Sequence, residues 1–351
     1  MSELKVDTIS ENTSAGGVTV ESVLVKDGSV KGNGTGRKNF IINGNYDIWQ
    51  RGTSFTASGY HADRWNTTVS GTGTTTISRQ AFALGQTDVP NEPKYYARIS
   101  KSSGVSGASG GDVMVQRIES VRTLAGQTGT LSFYAKASES TTIDFFLKQH
   151  FGTGGSPSAD LDHTPSGVSV TTSWQKFTVT QAFTSISGKT IGSNNDDYLE
   201  IIMRINNGSN ASVDFAQVQL EKGSLATDFE VRPIGEEVTL CHRYFCKTFP
   251  LDVTPAQNVS PGFYYVTNSQ GSVCVASNSP FPTEMRATPT LTTYNPYAAN
   301  NSFRQAGSTT DKSITVSGIK SHGIQEFYVS GTSTPGGHLN WSADAELWLV
   351  Q

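Results

Sequence analysis

From Thr142 to Phe151 apolar and polar side chains alternate. Ile143, Phe145, Leu147 and Phe151 fall on one face, and Thr142, Asp144, Phe146, Lys148 and His150 on the other. A period of two belongs to a half-buried β-strand, because a helix repeats its faces every 3.6 residues. Residues 198–206 repeat the device, with Leu199, Ile201, Met203 and Ile205 inward and Tyr198, Glu200, Ile202, Arg204 and Asn206 outward. Between such segments lie turn-rich stretches such as Gly152-Thr153-Gly154-Gly155-Ser156-Pro157. Short alternating segments without long amphipathic stretches predict antiparallel sandwiches and exclude a doubly wound sheet.

The composition fits that architecture. Of 351 residues, 35 are Gly, 42 Ser and 41 Thr, so the apolar area must come from a few large side chains: 17 Phe, 12 Tyr and 5 Trp. The formal charge of -4 is near balance and removes electrostatic attraction to nucleic acid or an anionic membrane as the basis of function. No apolar run approaches the ~18 residues of a membrane span, and Met1–Gly17 has neither a basic leader nor an apolar stretch, so a soluble chain without membrane insertion is expected. Cys241, Cys246 and Cys274 are too few for a disulfide framework, which fits synthesis in a reducing cytosol.

Four parts are expected. Residues 1–37 are short strand-like stretches without a core that must order on other chains, ending in the linker Gly32-Asn33-Gly34-Thr35-Gly36. Residues 38–232 read as one jelly-roll sandwich. Residues 233–249 read as a connecting helix, with Pro233 in the first turn, Glu236 and Glu237 at the positive end, and Val238, Cys241, Tyr244 and Phe245 at helical spacing. Residues 250–351 return to strands as a C-terminal β-sandwich, where Leu339, Trp341, Ala343, Ala345, Leu347 and Leu349 share a face opposite Trp348.

No nucleophile elbow, P-loop or zinc-protease motif is present, and the six histidines are scattered, so no enzyme is expected. Asp160-Leu161-Asp162-His163 is the densest metal-like cluster, and its position in a polar loop reads as solvation. Cys241 and Cys246 on one helix would point about 140° apart, which does not suit a shared zinc. Exposed strand faces offer more. Sugars present hydroxyl edges and apolar C–H faces, so a sugar site needs aromatic rings beside carboxylate, amide and guanidinium groups. The outward sets supply Tyr134, Asp144, Lys148, Tyr198, Glu200 and Arg204, with Gln116 on a neighbouring strand of the same expected sheet and Trp348 at the far end.

Asn39–Gly52, with Ile48-Trp49-Gln50-Arg51-Gly52, and the following Tyr60-His61-Ala62-Asp63-Arg64-Trp65 resemble the opening of a domain found in phage tail fibres and other virion appendages. Further resemblance lies in Phe133-Tyr134-Ala135-Lys136-Ala137, Ser173-Trp174-Gln175-Lys176, Val218–Gly223 with Ala226–Glu230, and Arg232–Phe245. Leu4–Ile9 with Gly16-Gly17-Val18 is similar to the leader of such fibre proteins. Residues 38–232 are also similar to carbohydrate-binding jelly rolls of the galactose-binding type. That resemblance implies a homotrimeric virion subunit, assembled in the host cytoplasm, attached to tail or capsid proteins through its N-terminus and adsorbing to a host surface glycan. A capsid decoration or head-fibre protein is the alternative, and after it a depolymerase using Asp160/Asp162 or Asp196/Asp197. Such modules carry a structural calcium. Here glutamine stands where the family's carboxylate would, leaving Asp214 or Asn43 as substitutes, so no metal or other cofactor is expected.

Overall fold

The computed structural model describes residues 18–20, 23–26, 29–31, 37–69, 74–101, 113–205, 210–262, 264–270, 273–332 and 336–346. They fall into two compact units. One comprises Met1–Asn45, Thr68–Thr75 and Gln80–Val231, the other Tyr46–Thr67, Thr76–Arg79 and Arg232–Gln351. Residues 46–67 and 76–79 thus group with Arg232–Gln351.

The first unit is a sandwich of antiparallel sheets. One carries, in order, Gln175–Ala182, Thr128–Ala137, Val213–Lys222 and Tyr95–Lys101. The other carries Leu161–His163, Thr141–His150, Tyr198–Ile205 and Val113–Ile118, with Val168–Val170 also on Thr141–His150. The alternation read from the sequence holds: Ile143, Phe145, Leu147, Ile201, Met203 and Ile205 are all buried. Phe133 lies between the sheets, its ring 5.6 Å from Phe177, 5.8 Å from Phe145 and 6.2 Å from Phe215. At Gln217, with φ at 49°, a bulge inserts an extra residue opposite Phe133 and shifts the register. Phe215 is inward before it and Val218 and Leu220 after it, which leaves Asp214 and Ala216, then Gln219 and Glu221, on the outer face.

Residues 223–230 close over part of that face. Thr227 donates its N–H and hydroxyl to Glu221 at 2.8 and 2.6 Å, and Glu230 N donates to Gln219 Oε1 at 2.8 Å. The Glu230 carboxylate accepts the N–H groups of Lys38 and Asn39 at 2.9 and 2.7 Å. Within the N-terminal part, Val18–Val20, Val23–Lys26 and Ser29–Lys31 pair with one another as an antiparallel meander. The other residues of 1–36 lie outside the described residues.

The second unit is organised on one long strand, Gly336–Asp344. Its first half pairs with Tyr264–Gln270 and Phe303–Gln305, and its second half with Phe245–Lys247 and Thr290–Tyr294. Asp311–Lys312 extends one edge, and Val273–Pro280, Gly323–Ser330 and Thr315–Lys320 the other. Leu339, Trp341, Ala343 and Ala345 form the expected apolar row and pack with Phe281, Met285, Ile324 and Phe327. The helix is shorter than expected, Ile234–His242, and Tyr244 and Phe245 lie beyond it because the chain turns directly into a strand. Cys241 and Cys246 are buried and free.

Residues 46–67 enter this unit through charge. The Arg51 guanidinium meets Asp344 at 2.9 Å, Glu346 at 3.5 Å and Asp63 at 3.8 Å. Arg64, 1% exposed, is ion-paired with the buried Glu346 and lies 3.3 Å from the Tyr244 ring centre. Gln50 binds the Asp63 carboxylate through its N–H at 3.0 Å and its side-chain amide at 2.5 Å, and passes the amide on to Phe245 O at 3.0 Å. Truncating one partner of a buried ion pair strands the other charge. Arg64→Ala therefore lowers unfolding free energy by about 3–5 kcal/mol, and the paired change Arg64→Met with Glu346→Gln costs less. Urea unfolding of the three proteins measures the difference.

Candidate functional site

Five of the expected sugar-site residues do come together, on the outer face of the sheet formed by Thr141–His150 and Tyr198–Ile205. Antiparallel register sets Asp144 opposite Arg204, Lys148 opposite Glu200 and His150 opposite Tyr198, and continues from Glu200 to Arg117. These groups pair with one another. Arg204 donates to Asp144 at 3.0 Å and lies over Phe146 at 4.4 Å, and Arg117 donates to Glu200 at 2.7 Å. Lys148 lies 3.7 Å from Asp160 and 3.8 Å from Asp162. Tyr198, only 8% exposed, is stacked under His150 at 4.4 Å and under Arg117 at 4.3 Å. Its ring has no open face for a sugar, so this surface is a closed ladder of ion pairs.

The remaining expected residues lie elsewhere. Gln116 is a correction: it faces inward opposite Ile201, is 1% exposed, and exchanges hydrogen bonds with the N–H and C=O of Ile42 at 2.8 and 2.9 Å. Tyr134 is on the opposite sheet, between Lys176 and Ala216, and not beside Asp144. Trp348 lies outside the described residues. Both oxygens of Asp214 accept from Arg98, and Asn43 is buried in a left-handed turn. Among the described residues no three His, Cys, Asp or Glu side chains gather as a metal would need. Asp160 engages His150 Nδ1 at 2.8 Å, while His163 turns to Gln149 and Gln181. Asp196 accepts from Thr153 N and Oγ1, and Asp197 from Val121 N and Ser120 Oγ, which makes both loop-fixing carboxylates.

The outer face of the other sheet is built differently. Strand alternation places Tyr96, Arg98 and Ser100 outward on Tyr95–Lys101 and Tyr134 and Lys136 outward on Thr128–Ala137. Register sets Arg98, Asp214 and Lys136 in one row across three strands. Arg98 grips Asp214 through two nitrogens, at 2.6 and 2.8 Å, while Lys136 approaches the same carboxylate at 3.9 Å. Beside the row, Phe82, Tyr96 and Trp174 form an aromatic cluster with ring centres 4.7 to 5.3 Å apart, floored by Val89 and Ala216. The Lys136 ammonium lies 5.2 Å from the Trp174 ring centre. A cavity of about 390 Å³ opens over the row, lined also by Ser100, Ser138, Thr172 and Ser212. Burial pushes the Tyr96 and Tyr134 hydroxyls up, so both stay protonated donors.

The arrangement supplies cationic donors, a carboxylate and four hydroxyls around one polar hollow, with a half-buried indole beside it, able to hold a polyhydroxylated ligand. Sequence reasoning missed Arg98, Lys136 and Trp174 as site residues. The signal was available in Tyr96, Arg98 and Ser100 alternating with Ala97 and Ile99.

No protein-family model matches the chain, and no curated protein matches it. Among solved structures, a CBM4 module is similar over 52% of this chain and 98% of its own, at 18% identity and a TM-score of 0.32. The CBM22-1 xylan-binding domain of Paenibacillus barcinonensis Xyn10C is similar over 49% of this chain and 94% of its own, at 14% identity and a TM-score of 0.30. The enzymatically active domain of bacteriophage CBA120 tailspike protein 4 is similar over 53% of this chain and 21% of its own, at 13% identity and a TM-score of 0.34.

Burial beneath His150 and Arg117 pushes the Tyr198 hydroxyl up to about 12. Unfolded chain releases that proton near 10, so between those values the folded form binds more protons and stability falls as pH rises. In Tyr198→Phe this contribution is absent, and denaturant midpoints fall less steeply from pH 10 to 12.

Proposed function

We propose that this chain is a non-enzymatic virion subunit, a homotrimeric phage tail fibre, that adsorbs to host surface polysaccharide through the Arg98–Asp214–Lys136 hollow. The observation that carries glycan binding is the cavity itself, lined by hydroxyls and by an in-register row of charged groups, with an aromatic cluster beside it that Lys136 reaches through Trp174. Lys136 keeps donor capacity, because an ammonium has three N–H groups and its nearest carboxylate oxygen is 3.9 Å away. Arg98 and Lys136 against Asp214 leave one net positive charge, which favours glycans bearing carboxylates over neutral ones.

Binding without cleavage is supported by the state of the carboxylates that a depolymerase would use. Asp160 and Asp162 share Lys148, and Asp196 and Asp197 hold loop N–H groups. The virion setting and the trimer rest on the resemblance of Asn39–Gly52, Tyr60–Trp65 and Arg232–Phe245 to fibre proteins. Copies joined in one particle would raise avidity from weak single sites.

Trp174→Ala removes the ring beside Lys136 and leaves the half-buried Arg98–Asp214 pair in place. Retention of the full chain on immobilised acidic exopolysaccharide then falls about fivefold, since one stacked ring contributes on the order of 1 kcal/mol. Unchanged retention would remove this hollow as the site, and release of reducing ends during incubation would show a depolymerase instead. Sedimentation equilibrium reads the trimer.

A further inference from the structure

In the second unit, another row of recognition groups crosses four neighbouring strands. Tyr265 is opposite His338, His338 opposite Arg304, and Arg304 opposite Asp311, so all four share one face of the sheet. The reverse face is core, where Val266 and Phe303 are buried. Arg304 donates to Asp311 at 2.5 Å, and Asn300 donates to the other oxygen at 2.8 Å. Over the row comes Tyr297, held by its N–H on Asn295 Oδ1 at 3.0 Å, while the Asn295 amide is fixed on Asn300 at 2.9 Å.

Tyr265 and Tyr297 are 46% and 42% exposed, an unusual state for large rings, and both meet His338 edge-on, at 5.1 and 5.8 Å. The orientation of Tyr265 is built in. A Cβ at Gly336 would come within 2.7 Å of Tyr265 Cε1 and Oη, so the Tyr265 ring can lie across its neighbouring strand only because residue 336 is glycine. Exposed rings held without rotamer freedom lose little entropy when a ligand stacks on them.

We propose that this face is a second glycan-binding site, taking neutral sugars. The rings offer apolar faces for pyranose C–H groups, and the imidazole, guanidinium, carboxylate and amide offer donors and acceptors for hydroxyls. Arg304 and Asp311 cancel, and burial lowers the affinity of His338 for a proton, so the row carries no net charge. That distinguishes it from the positive hollow of the first unit. The inference stands on these residues alone and shares with the preceding reading only the class of ligand.

The test is a microbial glycan array, printed with neutral and acidic polysaccharides and probed with the full chain. Tyr265→Ala with Tyr297→Ala reduces signals on neutral glycans about tenfold or more and leaves acidic signals in place, while Trp174→Ala does the reverse. Tyr265→Phe with Tyr297→Phe keeps the rings and keeps most neutral binding, which excludes misfolding as the cause of loss. The proposal is overturned if no neutral glycan binds the unaltered chain, or if the double alanine variant binds them as before. It is equally overturned if that variant sediments as a smaller species, since the rings would then be covered by a second copy.

Discussion

Two guanidinium groups kept from water hold the second unit together. Arg51 and Arg64 come from a stretch that the chain lays down more than 160 residues before Arg232–Gln351, and neither could stay buried without the carboxylates of Asp63, Asp344 and Glu346. Arg64 also sits in the left-handed region, at φ 71°, a conformation that a long side chain accepts only when its surroundings fix it. The aromatic partners are Tyr244 and Phe245, at 3.3 and 3.8 Å from the guanidinium carbons. Such a cluster adds less net stability than an apolar core of the same volume, but it tolerates little error in register. It therefore specifies which distant segments belong together.

The motifs read from the sequence gain a physical meaning from this. Gln50-Arg51, Asp63-Arg64 and Tyr244-Phe245 are the members of the ionic cluster, and Gln219, Glu221, Thr227 and Glu230 are the members of the clamp on Lys38 and Asn39. Both sets close long loops in the chain by hydrogen bonds to groups that would otherwise be buried and unsatisfied. Residues of this kind are fixed by the fold, and a ligand can vary without changing them.

The strands were legible because alternation is a local property: Ile143, Phe145 and Leu147, or Leu199, Ile201 and Met203, announce their inward face with no knowledge of neighbours. The site was less legible because it depends on register between strands. Gln116 follows the polar type but faces the core, where the Ile42 peptide rewards an amide, and Tyr134 belongs to the other sheet. The bulge at Gln217 changes face parity without any glycine to mark it. Charge type alone also misled. Asp144, Lys148, Glu200 and Arg204 look available when each is read singly, and their mutual pairing becomes visible only when the strands are placed side by side.

The two outer faces of the first sandwich then differ in a way that decides which can bind. A sugar approaching the Asp144–Arg204 and Glu200–Arg117 ladder meets guanidinium and carboxylate groups already joined by charge-assisted hydrogen bonds of 2.7 to 3.0 Å. It also finds the Tyr198 ring already covered on one side by imidazole and on the other by guanidinium. Over the Arg98–Asp214 row the ion pair can stay intact, since the ligand needs only the outward edges of groups that are already oriented, the lightly engaged Lys136 ammonium, and the indole of Trp174. Preorganised donors that need not be stripped of partners cost least to use, which is why the less conspicuous face is the better candidate for recognition.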